Sequence, residues 1–394
     1  MTIKEKTSWD VIIIGGGLMG ASLAYNLKDQ GFPGSILILE KDPTYEKSTT
    51  TLSVGGIRRQ FSTEVNIRIS QYGLSFYGDF GRLMEVLGER PEIEFKPWGY
   101  LFLASERTWP ALSANWELQR SLGCSTELLS PEETLRLIPH LNLEGIVGSS
   151  FSPGDGYMDP YAALQGYLKK AKSLGVKFHV GEVTEVKQQS GRVTGVVTKE
   201  GTTYEGPIVV NCAGPYAGAV GRMAGLDIPV EPVRRMVYYV HPAVIFDYPL
   251  PLTIDTTGCY FRHEAGGHII TGKSRQDEPV GENFQCDYSY FQDEIWPSLA
   301  FRVPVFETLK LIRGWAGLYE MNHWDFNALL GSHPELAGFY LAAGFSGHGF
   351  QQAPAVGRGL AELIRTGRYV TLDLSPLDYS RYLRGEKLLE REVV

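Results

Sequence analysis

The sequence predicts an α/β fold joined to a second, largely antiparallel β-sheet domain, and three observations predict it. A continuous apolar run, Asp10 to Ile14 (DVIII), enters the glycine-rich turn GGGLMG and then a helix. From Val230 to about Leu318, apolar and polar residues alternate in runs such as RRMVYYVH and GHIITGK, with aromatic residues dense among them. After Gly331, the stretch SHPELAGFYLAAGFSGHGFQQAPAVGRGLAELI returns to the strand–turn–helix pattern of the N-terminus. The 394 residues suffice for a large buried core without disulfide or metal staples. With 43% hydrophobic and 21% charged residues, the composition excludes a largely disordered chain. Net charge is -8, from 45 acidic and 37 basic residues. That balance argues against nucleic acid as the main ligand, because phosphate binding needs a positive field.

Each element has a local cause. Asp10 to Ile14 is apolar throughout, as in a strand buried on both faces of a parallel sheet. Gly15, Gly17 and Gly20 fit G-x-G-x-x-G. Gly15 permits the tight turn, Gly17 lets the backbone approach a pyrophosphate, and Gly20 lets the helix pack on the strand. The helix runs from Leu18 and Met19 to Gln30, with Leu23 and Leu27 on one face, and Gly31 stops it. Its N-terminus offers free N–H groups and a positive dipole end to phosphates. A second apolar strand, Ser35 to Leu39, ends in Glu40, placed to accept hydrogen bonds from a ribose. Together these form a Rossmann-like dinucleotide unit, and the motif alone does not choose between NAD and FAD.

The next segment, Lys47 to Ser62, is rich in hydroxyls: Ser48, Thr49, Thr50, Thr51 and Ser53. Such a stretch can bond phosphate and ribitol oxygens, the alternative being a Ser/Thr loop that caps the next helix. A nicotinamide dehydrogenase ordinarily continues here into another βαβ repeat. This chain instead enters a polar-aromatic segment, Asn66 to Gly99. Tyr161 to Leu174 reads as an amphipathic helix and Val176 to Val180 as a strand. VTEVKQQSGRVTGVVTKEG reads as an exposed β-meander turning at Ser190-Gly191. Ile208 to Val210 is a strand ending in NCAGPYAG, where Ala213, Gly214 and Tyr216 fall at a ligand-binding strand end. Phe339 to Ala342 is another buried strand, GFSGHG a second glycine-rich turn, and Pro354 to Ile364 a helix with proline near its first turn. The expected organisation is a discontinuous nucleotide domain (1–80, 145–228 and 325–375), a substrate domain (81–144 and 229–324) and a C-terminal tail (376–394).

Cys124, Cys212, Cys259 and Cys286 have no C-x-x-C spacing, so neither a zinc knuckle nor a redox pair is expected. His263 and His268 share a strand region and could bind metal only in a closed pair with carboxylates, and no metal is expected. Four reduced thiols, no apolar signal core in MTIKEKTSW and no run near the ~18 apolar residues of a membrane helix suggest a soluble, cytoplasmic protein. Peripheral membrane contact remains open.

GGGLMG with Glu40, the hydroxyl-rich segment, NCAGPYAG and GFSGHGFQQAP, in that order, resemble the FAD-dependent D-amino acid oxidase superfamily. Within it the chain is similar to the sarcosine oxidase and dimethylglycine dehydrogenase branch. SVGGIRRQFS and GFSGHGFQQAPAVGR are similar to the mitochondrial FAD-dependent oxidoreductase-domain proteins associated with complex I assembly. The resemblance spans roughly Trp9 to Arg365. It implies extended FAD at the interface of the two domains, and oxidation of a carbon beside an amine nitrogen by hydride transfer to flavin N5. It also implies that Gly15, Gly17, Gly20, Glu40 and Lys41 hold the ADP half, and that Ser48 to Ser53 line pyrophosphate and ribitol. Val183 is implied at adenine through its backbone. Gly344, Ser346, Gly347, His348, Gly349, Phe350 and Gln351 are implied along the flavin ring. The last placement has an independent reason, since a helix N-terminus stabilises the negative charge of reduced flavin.

The chain departs from the resemblance at three points. Gly317, in GLYEM, stands where monomeric sarcosine oxidases attach flavin to cysteine, so noncovalent FAD is expected. Gln351 stands where those oxidases place a carboxylate-pairing lysine. The lysine credited with oxygen activation falls near Ile269 and Ile270, with Lys273 close by. Arg59, in IRRQF, matches the carboxylate-binding arginine, the alternative being a surface or flavin contact. Tyr260 and Arg262 alternate on a strand and so face one side, the alternative being sheet packing. Tyr319 matches the family tyrosine or is a core aromatic. His348 contacts flavin or shapes its loop rather than acting as general base. The expected activity is FAD-dependent oxidation of a secondary or tertiary amine, an N-substituted amino acid, with oxygen or another electron acceptor. The alternatives are a dehydrogenase serving a quinone or carrier protein, and a flavin-stabilised assembly factor with little turnover.

Overall fold

A computed structural model describes residues 7–391. A six-stranded sheet orders Leu329–Ser332, Phe339–Ala343, Val209–Asn211, Val11–Ile14, Ile36–Glu40 and Lys177–Val180. All neighbours are parallel except the first pair. Period-two alternation divides the sheet's apolar residues between two cores. Val11, Ile13, Ile36, Ile38 and Val210 face helices Leu18–Asp29 and Gly349–Thr366. Ile12, Ile14, Leu37, Leu39 and Val209 face a meander of Val183–Gln189, Arg192–Thr198 and Thr203–Glu205. The meander turns at Ser190 and Gly191, both at positive φ (50 and 72°), as a tight hairpin requires.

An eight-stranded sheet forms the second unit. It orders Lys310–Asn322, Val230–His241, His268–Gly272, Tyr260–Glu264, Leu252–Ile254, Tyr100–Ala104, Gly148–Ser152 and Glu127–Leu129. It is antiparallel except where Leu252–Ile254 runs parallel to Tyr100–Ala104. No helix among the described residues is long and apolar enough to cross a membrane.

Three expectations need correction. Gly148–Ser152 pairs with Tyr100–Ala104, so the return to the nucleotide unit comes after residue 152, not at 145. Its sequence, GSSFS, is small and polar and carries no strand signal. Residues 376–391 are not a tail: Tyr379 and Arg381 are buried, and the Arg381 guanidinium pairs with buried Asp325. Asp325 also accepts the Leu388 N–H at 2.9 Å, and Glu390 accepts from Ser62, Thr63 and Asn66. The polar composition reads as a tail because its charges find partners far away in sequence. Finally, the Pro354 helix begins at Gly349, which places the proline inside it. Proline lacks the N–H that would bond Phe350 O, and that carbonyl instead accepts Tyr77 Oη at 2.8 Å.

Candidate active site

A cavity of about 1220 Å³ lies between the two sheets, at the carboxyl ends of the parallel strands. Ile14, Glu40, Val180 and Ala213 open its nucleotide end, as strand ends do in open α/β sheets. Gly15 turns at φ +99°, and a side chain there would fall 2.3 Å from Cys212 O. Gly17 meets no protein atom within 4 Å of where a Cβ would stand, so ligand can touch the backbone. Leu18 and Met19 complete this wall, while Gly20 lies behind it, a Cβ there striking Gly15 O at 2.1 Å. No side chain caps the Leu18–Asp29 helix, which leaves its first-turn N–H groups for a phosphate. Glu40 accepts the N–H groups of Gly16 (2.7 Å) and Asp42 (2.9 Å), and burial raises its pKa. Lys41 stands over the Tyr216 ring at 3.2 Å.

Ser48, Thr49, Thr50, Ser53, Val183, Gly214 and Tyr216 also line the cavity. Ser53 Oγ is buried there with no protein partner. Thr51 is off the wall, although its Oγ1 is also buried without a partner. At the other end Ser346, Gly347, His348, Gly349, Phe350 and Gln351 curve around the start of the Gly349–Thr366 helix. Gly347 takes φ +96°, and a Cβ would lie 2.4 Å from the Tyr319 ring. Gly344 is not on the wall; its N–H donates to Glu320 Oε2 at 3.1 Å. Tyr260 and Tyr319 line this end, with Tyr100, Leu252, Ile254 and Thr257.

Two predicted substrate arginines are misplaced. Arg59 is off the cavity wall: its Nε pairs with Asp155 Oδ1 at 2.6 Å, and Nη2 donates to Pro153 O at 2.8 Å. Arg262 shares a strand face with Tyr260, but two residues advance it by about 7 Å. It is buried off the wall, donating to Val54 O (3.0 Å), His263 O (2.7 Å) and Glu264 Oε2 (2.9 Å). Among the described residues, the arginine on the wall is Arg58, at the opposite end from Lys41. Its guanidinium lies 4.6 Å from the Phe61 ring and 5.6 Å from that of Tyr100, with Nη2 at 3.1 Å from His348 Nε2. Arg58 Nε is buried without a protein partner. His348 Nε2 therefore accepts a hydrogen bond from the guanidinium and the ring is neutral, burial and Arg58 pushing its pKa down to about 3. Gln351 Oε1 accepts the Arg58 N–H at 2.7 Å, fixing the residue that carries the charge. The pair IRR offered two arginines, and of these neighbours just past strand Gly56–Ile57, Arg58 faces the cavity while Arg59 pairs with Asp155.

The FAD dependent oxidoreductase (DAO) profile matches residues 10–363, spanning both sheets. The chain belongs to this family. It is 39% identical over 418 residues to the Bos taurus FAD-dependent oxidoreductase domain-containing protein 1, covering 97% of this chain and 86% of that protein. It is 27% identical to Homo sapiens mitochondrial dimethylglycine dehydrogenase, covering 96% of this chain and 45% of that longer protein. L-proline dehydrogenase from P. horikoshii superposes with a TM-score of 0.88 at 30% identity, covering 98% of this chain and all (100%) of that one. Glycine oxidase from Geobacillus kaustophilus, at TM-score 0.83 and 23% identity, covers 95% of this chain and 99% of its own and shares the fold. The protein is thus an FAD-dependent oxidoreductase, and its cavity fits the cofactor. The bare Gly17 backbone and the uncapped helix start face the end bounded by Glu40, and the orphaned Ser53 hydroxyl lies on the cavity wall. A second helix start lies at the Tyr319 end.

Proposed function

We propose that the protein oxidises the C–N bond of a secondary or tertiary amine carried on an amino acid, with FAD held noncovalently. The observation that carries this reading is Arg58. It is a cation on the cavity wall with an unpartnered Nε, enclosed by aromatic rings and set beside the second helix start. A guanidinium so placed suits a carboxylate, since its fork of donors is rigid. Tyr100, Leu252, Ile254, Tyr260 and Tyr319 supply an apolar surround for the alkyl part of the substrate. FAD bound in this cavity would supply the hydride acceptor for the carbon beside the nitrogen. His348 is too weak a base to take the amine proton, so the substrate enters as the neutral amine and the protein's part is orientation. The names of the dimethylglycine, L-proline and glycine enzymes support an amino-acid substrate.

The test mixes the yellow protein anaerobically with N-methyl, N-carboxyalkyl and cyclic amino acids and follows bleaching of the flavin band. Bleaching only by amines that lack a carboxylate contradicts the amino-acid reading. A dehydrogenase, rather than an oxidase, is favoured by one observation. Lys273, the lysine nearest the oxygen-activating position, pairs with Glu294 at 3.5 Å and is off the cavity wall. Reoxidation by a quinone or dye much faster than by air supports this; rapid oxygen consumption with substrate contradicts it.

A further inference from the structure

The cavity holds a carboxyl that the proposed reaction does not use. Glu320 lies near the end of strand Lys310–Asn322, beside Tyr319, and opens on the cavity under the loop 344–349. Its Oε2 accepts the Gly344 N–H at 3.1 Å, and its main-chain carbonyl accepts the Ser346 N–H at 3.1 Å. Oε1 is 3.3 Å from where a side chain on Gly349 would stand, so it sits at the first residue of the long helix. Gly344 is its one protein donor among the described residues.

The groups around it leave a charge at Glu320 uncompensated. Cys212, from the turn after strand Val209–Asn211, is a thiol kept protonated by burial. His348, from the helix start, is neutral. Across the sheet its register partner is Pro232, flanked by Glu231 and Val233. Arg235, on the same neighbouring strand, stands 5.3 Å over the Tyr319 ring and makes no ion pair with Glu320. Burial pushes the carboxyl up to about 8, opposed only by the Gly344 N–H. FAD brings a pyrophosphate into this cavity and displaces its water, which penalises a second anion further.

We propose that Glu320 is a cofactor-binding residue that carries a proton whenever FAD occupies the cavity, its Oε1 hydroxyl donating to the bound cofactor. When FAD meets the ionised form, one proton is taken up from solvent. Holoprotein formation is then linked to pH, weakening as Glu320 ionises. The inference rests on FAD filling this cavity and not on the identity of the substrate.

The test dilutes the holoprotein at roughly pH 6 to 9.5 and reads FAD release by its recovered fluorescence, beside Glu320→Gln. The Gln side chain keeps an acceptor for Gly344 N–H and donates from its amide where the acid donates its proton. The wild-type dissociation constant is expected to rise about tenfold per pH unit above the Glu320 transition, and that of Glu320→Gln to lack this rise. Equal pH dependence in the two proteins overturns the proposal. Infrared spectra of wild-type holoprotein give a reading that needs no variant. A protonated-carboxyl C=O band at neutral pH is expected, and its absence also overturns the proposal. Neither measurement uses an amine, so failure of the substrate panel leaves this result standing.

Discussion

The Arg59 side chain is 14% exposed and its partner Asp155 is fully buried (0%), so each holds the other's charge in a site poor in water. Truncating Arg59 strands the carboxylate, which costs about 3–5 kcal/mol. Arg59→Ala is therefore expected to lower stability by that order in chemical denaturation. Burial already raises the Asp155 pKa, and loss of Arg59 raises it further. A carboxyl whose folded pKa exceeds its unfolded value destabilises the fold increasingly as pH rises through that interval. The deficit should thus be smaller in mild acid than at neutral pH; a deficit independent of pH contradicts the buried-pair account. Arg58→Ala should behave differently. It keeps fold and FAD, while anaerobic flavin reduction at low concentration of an amino-acid substrate slows roughly 30-fold or more. Equal rates would remove Arg58 from the substrate site. Glu40 lines the nucleotide end of the cavity and holds the Gly16 and Asp42 N–H groups. Glu40→Ala leaves those donors unpaired and should weaken FAD binding by ~1–3 kcal/mol, read by titration of the apoprotein.

At the scale of elements, what the sequence conveyed depended on whether the cause was local. The strand Val11–Ile14, its turn and the Leu18–Asp29 helix are set by apolar runs and glycines within thirty residues, and all lie where the pattern places them. Gly148–Ser152 is a strand because Tyr100–Ala104 lies beside it, which no local propensity announces. Pro354 illustrates a second limit. Read alone it marks a helix start, yet the helix tolerates it because Tyr77, from helix Glu64–Gly78, satisfies the Phe350 carbonyl that proline cannot. The glycine turn and the helix are therefore one element, and its start falls on the cavity. Tyr77 is fully buried, and Tyr77→Phe keeps the ring's packing while orphaning that carbonyl. A loss of ~1–3 kcal/mol is expected in denaturant unfolding. An unchanged midpoint would show that water or a relaxed helix already serves Phe350 O.

At the scale of the molecule, a cofactor cavity built between two sheets raises the question of what fastens the cofactor. The strand Lys310–Asn322 supplies Leu318, Tyr319 and Glu320 to the wall but turns Gly317 away from it. Gly317 packs under Leu52, whose Cβ would stand 3.0 Å from any side chain placed there. The position that carries a cysteine in covalent relatives therefore has neither a nucleophile nor room for one without displacing Leu52. Among the described residues, Cys212 is the one thiol on the wall, and burial holds it protonated, which suppresses its reactivity. His348 is the one imidazole there, and its Nε2 is engaged by Arg58. Noncovalent retention would then rest on many weak contacts: the Leu18–Asp29 helix start, the Ser48, Thr49, Thr50 and Ser53 hydroxyls and residues 346–349 on one side, and Leu318, Tyr319 and Glu320 of the eight-stranded sheet on the other. Such binding is lost when the sheets separate. Acid precipitation or heating of the yellow protein is expected to leave all the flavin in the supernatant, with an absorbance spectrum of free FAD. Flavin remaining in the washed pellet would show a covalent bond, and His348 would be the first side chain to replace.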